Sequence, residues 1–334
     1  MPILHFDLLR NREAIEYYAG EKLRKGNELM VVTRACQKVL DATRTIRVPV
    51  NTPTYKEEDG FLRLYTGWTS WVVKRPFHDY PSFLEWVKQS VRQSIDWHPS
   101  ETFLRELHDK HVLEQELLGD TLLFWTAAEG WFYGAYEEAG FENFSFLWYD
   151  DPLLFSEWLE GRFLRCKTIV ELLADPNICP VAFLGEDIAS NKGLIFSPRL
   201  LESEFFPRLK VLVDVFHKKG IKVVFHSDGN FLEVLDQIID TGIDGLNPLD
   251  PLAGLELEKM RTTCPSRVVL IGNLDCSHLL PFGPKKKIRE EVKRICELAK
   301  SAGGVIFASS SELHDGIPLE NLICMFDAFW EYRW

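Results

Sequence analysis

The chain has 334 residues, 46% hydrophobic and 13% aromatic, enough for a large core and far from a disordered composition. Lys and Arg number 38 against 50 Asp and Glu, and the net charge of −12 excludes general nucleic-acid binding and a polybasic membrane anchor. No run of about 18 apolar residues occurs, so no transmembrane helix is expected. Met1–Asp7, followed by Arg10 and Arg12, has no signal-peptide core. The seven cysteines are scattered with no CxxC pair, so the expectation is a cytoplasmic protein with reduced thiols.

Asn11–Lys25 is amphipathic and predicts a helix. Arg47–Thr52 is a candidate strand. Phe61–Val73, rich in aromatics and Thr with Gly67 in the middle, predicts a β-hairpin or a pair of short strands. Tyr80–Ile95 returns to helical spacing, with Phe83, Trp86, Val87 and Val91 on one face. Beyond residue 120 short apolar runs alternate with helix-length amphipathic stretches. The strand candidates are Thr121–Ala127, Phe144–Trp148, Pro180–Leu184, Lys222–Phe225, Gly245–Leu246, Val268–Ile271 and Val305–Ala308. The helices between and after them are Pro152–Ala174, Pro198–Lys219, Asn230–Thr241, Pro284–Ser301 and Leu319–Tyr332.

Alternating strands and helices mean parallel βαβ units. With a further strand from the N-terminal part, eight strands fit an α/β (β/α)8 TIM barrel. The expected organisation is a single domain over 1–334, with a helical and hairpin extension in 1–119 and most of the barrel in 120–334. An open doubly wound sheet competes, but no GxGxxG follows a strand and no P-loop occurs.

In a parallel barrel the chemistry sits where strands end. Those ends carry Glu186 and Asp187, then His226-Ser227-Asp228, then Asn247 and Asp250. Asn273, Asp275 and Cys276 follow, and finally Ser311, Glu312 and His314. Helix capping explains some Asp, Asn and Ser there, but not Glu186, His226, Cys276, Glu312 and His314 together. A shared polar pocket is therefore expected. His226 and Asp228 are two apart, so an extended backbone points both to one side. They can ligate one metal or act as an acid–base pair; alternatively Asp228 caps the following helix. Glu186 and Asp187 point in opposite directions, one to the pocket and the other to a loop. Cys276 is either a thiolate ligand or a packed thiol, and Glu312 either completes a ligand set or faces solvent. Trp125 and Glu129, within an aromatic-rich stretch, either line a pocket for a bulky ligand or, for Trp125, pack the barrel against its helices. No GxSxG elbow supports a serine nucleophile.

Five segments, GEDIASNKGLIFSPRL (185–200), KGIKVVFHSDGN (219–230), GIDGLNPLDP (242–251), IGNLDCSHLL (271–280) and SSSELHDGIPLENL (309–322), resemble the uroporphyrinogen decarboxylase superfamily. They are collinear and spaced as in that superfamily. GWTSWVVKRPFHDYPSFLEW (67–86) is similar to the hairpin and helix of its methyltransferase-like branch. The resemblance implies a barrel with an N-terminal extension, and either cofactor-free decarboxylation or zinc-assisted methyl transfer between a small substrate and a corrinoid protein. Tyr136 matches the decarboxylases' tyrosine, whereas their Arg-rich segment is absent: Arg44 and Arg47 stand in another context. The methyltransferases' HxC zinc pair is here His226-Ser227-Asp228, and their distant Cys falls near Ser311, so both sulfur ligands are lost. A metal would then rest on His226 and Asp228 with Glu186, Cys276 or Glu312. The expected function is methyl transfer on a small substrate, with Glu186, Asp187, His226 and Tyr136 catalytic and Trp125, Glu129, Asn247, Asn273, Asp275 and Ser311 around the substrate. A decarboxylase and a non-catalytic ligand-binding barrel are the alternatives. The superfamily's dimers imply a homodimer here.

Overall fold

The structure, a computed structural model, describes residues 2–126 and 130–334. In chain order the strands are β1 (Leu9–Arg10), β2 (Ala42–Arg44), β3 (Val50–Glu58), β4 (Phe61–Gly67), β5 (Thr69–Lys74), β6 (Leu122–Phe124) and β7 (Val181–Gly185). They continue with β8 (Ala189–Ser190), β9 (Gly193–Leu194), β10 (Lys222–His226), β11 (Gly245–Leu249), β12 (Val269–Leu274), β13 (Val305–Ser309) and β14 (Leu313–His314).

Five of them form one parallel sheet in the order β13-β12-β11-β10-β7. Three N-terminal segments close it into a ring. His5 bridges Phe307 of β13, Phe6 bridges Ala42 of β2, β2 pairs with β6, and Trp125 bridges Ala182 of β7, all in parallel. The result is a (β/α)8 barrel whose first two strands come from residues 5–10 and 42–44. The stretch 1–119 thus supplies barrel as well as extension. These two strands are short and carry His5, Asp7 and Arg10 among their apolar residues, so no apolar run announces them.

Strand alternation sorts the side chains into two cores. Phe6, Leu8, Ala42, Phe124, Phe183, Val224, Ile271 and Ala308 fill the barrel interior. A second, larger cluster packs the outward faces of the strands against the helices. Continuing the same alternation toward the C-terminal mouth takes Leu8 to Arg10, Ala42 to Arg44, Val224 to His226 and Phe183, through Gly185, to Asp187. The interior therefore becomes charged at its C-terminal end.

Most expected helices are present. Tyr80–Ile95 opens on a capping box between Asp79 and Ser82 and buries Phe83 and Val87. Pro152–Leu173 and Leu319–Tyr332 also form, and residues 198–218 are helical with one π turn at Leu201–Phe205. The first helix is shorter than expected, Arg12–Ala19, because Gly20 takes a left-handed φ of 69° and ends it. Phe144–Trp148 is not a strand but part of the helix Phe141–Asp150. Its aromatic density suits either state; burial of Phe144 and Leu147, three apart, sets the helical one. Arg47–Thr52 is not a barrel strand either. Val50–Glu58 joins the predicted hairpin, β4 and β5, as a three-stranded antiparallel sheet. Its Trp68 turn donates from the indole N–H to Asp315, beside β14, at 2.8 Å. Among the described residues no helix is long and apolar enough to cross a membrane.

Behind β6, the Trp125 indole N–H donates to Nδ1 of His111 at 3.2 Å, between barrel and helix Glu101–Leu118. Burial pulls His111 from its ordinary 6.5 to about 4, against the raising pull of a bond to the Leu107 backbone. Below pH 6.5 the unfolded chain takes a proton that the folded chain refuses until about pH 4, so folding stability falls across that window and no further below it. Relative to His111→Gln, the protein is expected to lose up to about 3 kcal/mol between those limits in denaturant titrations. Parallel curves for the two proteins would show that His111 is not held neutral.

Candidate active site

Asp187, His226 and Asp228 meet where β7 and β10 end. One ligand atom from each lies within 4.8 Å of the others. Nε2 of His226 is 3.8 Å from Oδ1 of Asp187 and 3.9 Å from Oδ1 of Asp228, outside hydrogen-bond range. On the other side of the ring, Nδ1 lies 2.7 Å from Oδ1 of Asn247, on β11. That amide oxygen accepts, so Nδ1 carries the hydrogen and Nε2 turns its lone pair toward two carboxylates. A lone pair and two anions facing one another are stable only with a proton or a cation among them.

The surroundings hold these groups in place. The Asp228 backbone N–H donates to Asp187 Oδ1 at 2.9 Å, and the Tyr136 hydroxyl donates to the Asp187 carbonyl at 2.8 Å. Burial raises the Tyr136 phenol far above its ordinary value, with the charge of Asp187 adding to it, so the phenol stays a donor. The Ser227 hydroxyl accepts from the Ile188 N–H and donates to the Asp228 carbonyl, each at 3.0 Å. Asp228 keeps 52% of its side chain exposed at the edge of the cleft. Desolvation pushes its carboxyl up; Asp187, Asp250 and Glu312 add to that, and His226 opposes it.

Adjacent strand residues diverge, as their alternation requires. Asp187 faces His226, whereas Glu186 is fully buried on the outer side. Its carboxylate accepts from the backbone N–H groups of Gly130, Trp131 and Tyr133 at 2.7, 3.0 and 2.5 Å. Arg162 holds the same loop by its carbonyls, donating to those of Trp131 and Gly130 at 3.2 and 3.3 Å. Glu186 is therefore a loop anchor rather than an acid or base at the mouth.

Several other expected residues are engaged elsewhere. Trp125 packs outward, as described. Asn273 donates to the carbonyls of Leu249 and Leu255 and accepts from Arg294, a residue of the outer helix Lys285–Ala302. Asp275 caps a turn, accepting from the N–H groups of Ser277, His278 and Leu279. Cys276 is buried against the Ser310 hydroxyl at 3.4 Å, and burial raises its thiol, so it is a packed thiol rather than a thiolate ligand. Glu312 pairs with Arg10, and both ring nitrogens of His314 are bonded, to the Cys276 carbonyl and the Gly316 N–H. Neither joins the three-residue cluster. Ser311 is half-buried on the turn between β13 and β14. Glu129 lies outside the described residues.

Arg44 and Arg47, set apart in the sequence as standing in another context than the decarboxylases' Arg-rich segment, gather with Arg10 at the mouth. Arg10 and Arg44 continue the interior faces of their strands, and Arg47 follows three residues on. Burial, with Arg47 and Arg44 nearby, lowers Arg10 to about 10 against the raising pull of Glu312. The Arg44 guanidinium lies 5.0 Å from the centre of the Phe183 ring, and that ring lies 5.1 Å from the His226 imidazole. Cationic and anionic halves thus share one barrel mouth, with Phe183 between them.

The family model of uroporphyrinogen decarboxylase (URO-D) matches residues 138–332. No curated protein matches the chain by sequence. Among solved structures, a methyltransferase from Methanosarcina mazei superposes with a TM-score of 0.69 at 18% identity, covering 99% of this chain and 94% of that one. The GH18 chitinase ChiB of Flavobacterium johnsoniae reaches a TM-score of 0.44 at 9% identity, covering 99% of this chain and 95% of that one. The first likeness is one of fold, extending through the N-terminal sheet as well as the barrel.

If Glu186 is the loop's anchor, Glu186→Gln should destabilise the fold by about 2–4 kcal/mol, since it puts an amide N–H among donors and removes charge-assisted bonds. Chemical denaturation measures this. A loss below about 0.5 kcal/mol, the usual surface range, would contradict the anchoring role.

Proposed function

The chain belongs to the uroporphyrinogen decarboxylase (URO-D) family, and from that premise we propose that it is an enzyme transferring a methyl group between a small substrate and a corrinoid carried by a partner protein. The observation that carries this reading is the Asp187–His226–Asp228 cluster, whose Nε2 and two carboxylates face one another and suit a cation. Three N/O protein donors match the donor set of a catalytic zinc, which keeps a further position open. When bound there, zinc supplies Lewis-acid activation of a substrate heteroatom.

The chain's own residues do the rest. Asn247 fixes the tautomer and orientation of His226, the role an outer hydrogen bond plays for a metal-binding imidazole. Tyr136 and the Asp228 N–H hold Asp187 in register with it. A substrate heteroatom that gains the methyl group would lose its proton, which would leave to solvent along the exposed edge of the cleft beside Asp228, while the electron pair of the methyl group's former bond would stay with the corrinoid. Arg10 and Arg44 place positive charge across the mouth, where an anionic tail of the substrate would lie.

Those same arginines favour a second reading, decarboxylation of a small carboxylic acid, in which they bind carboxylates and no metal is needed. Metal content separates the two. Protein purified without chelator is expected to carry about one zinc per chain by elemental analysis, and His226→Ala/Asp228→Ala to carry none. The loaded protein should then demethylate methylcobalamin in the presence of small thiols or amines. Zinc-free protein that stays so under saturating zinc, and that releases CO2 from a carboxylic acid, would replace the first reading by the second.

A further inference from the structure

Helix Tyr133–Ala139 carries two tyrosines three residues apart, so both rings lie on one helix face. Their hydroxyls are used differently. Tyr136 is 5% exposed, and its hydroxyl is committed to the Asp187 carbonyl. Tyr133 stands edge-on to it, with ring centres 5.2 Å apart, and is 36% exposed. Among the described residues its hydroxyl has no hydrogen-bond partner.

The backbone that carries this free phenol is fixed. The Tyr133 N–H donates to Glu186 at 2.5 Å, and Arg162 donates to the carbonyls of Trp131 and Gly130 just before it. An uncommitted donor on a fixed backbone is pre-organised for a ligand. Burial raises the phenol, the charges of Glu137 and Asp187 add to this, and Arg47 and Arg63 oppose it, so the group stays a donor. Arg47 acts on Arg10 as well. The hydroxyl therefore borders Asp187 on one side and the arginine group on the other. A substrate that sets its heteroatom at the Asp187–His226–Asp228 cluster and its anion toward the arginines passes along this hydroxyl. A phenol donating to a carboxylate makes a charge-assisted bond, short and directional.

We propose that Tyr133 is a specificity-determining residue of the mouth, whose hydroxyl donates to a carboxylate oxygen of the substrate and so selects carboxylate-bearing thiols over uncharged ones. The thiol in this statement rests on the methyl-transfer reading; the carboxylate is common to that reading and to decarboxylation.

The test is calorimetric titration of the full chain, purified without chelator, with mercaptopropionate, and with mercaptopropanol as the uncharged comparison. The acid is expected to bind at least about tenfold more tightly than the alcohol. Tyr133→Phe, which deletes only the hydroxyl, should weaken the acid at least about tenfold and the alcohol by less than about twofold. Its denaturation midpoint should match the parent's, since the hydroxyl has no partner among the described residues to lose. Binding is read without turnover and so answers separately from the methylcobalamin assay. A chain that binds the acid through Tyr133 yet leaves methylcobalamin intact would overturn methyl transfer and keep this role. No saturable binding of the acid, no preference for it over the alcohol, or the same preference in Tyr133→Phe would overturn the proposal.

Discussion

The arrangement at the barrel mouth depends on one confrontation, that of the His226 Nε2 lone pair with the carboxylates of Asp187 and Asp228 at just under 4 Å. Left alone, these groups repel. They stay together because each is held from behind: the imidazole by Asn247, Asp187 by Tyr136 and by the Asp228 N–H, and Asp228 by the Ser227 turn. Such bracing of a repulsive group is a mark of function more than of stability, because a packed apolar mouth would fold as well or better. The confrontation has one natural resolution, a cation or a proton in the middle, and the chemistry proposed for the chain follows from which one occupies it.

The second organising feature is the pleat of the chain after β7. It sends Asp187 inward and Glu186 outward, so adjacent acids serve opposite purposes. Glu186 collects three backbone amides of the loop beyond β6, and Arg162 takes that loop's carbonyls. The loop is clamped on both of its polar sides. Arg162 belongs to the helix Pro152–Leu173, so the clamp ties the barrel mouth to that helix through a few charge-assisted bonds.

Much of this is written in the residues, and the exceptions have physical causes. The apolar runs before Glu186, His226, Asn247, Asn273 and Ser309 read as strands because each is β-rich and bounded by polar turns. The pairing of His226 with Asp228 follows from a period of two. The strands at 5–10 and 42–44 are hidden because their outward faces are polar: Asp7 is buried against Ser309 and His5, which no hydropathy pattern reveals. Had that strand been recognised, the alternation Phe6, Leu8, Arg10 would have placed an arginine at the mouth. The fates of Asn273, Asp275 and Cys276 were not legible, since residues at a strand end serve pocket, cap and packing alike, and only three-dimensional partners decide among them. Phe144–Trp148 failed for a related reason, as aromatic residues suit either backbone when buried.

The most direct measurement is X-ray diffraction at the zinc absorption edge from crystals grown with zinc. An anomalous peak bounded by Nε2 of His226 and carboxylate oxygens of Asp187 and Asp228 is the predicted result. No peak there, with Nε2 instead hydrogen-bonded directly to either carboxylate, would show that a proton resolves the confrontation and would contradict the metal-centred account.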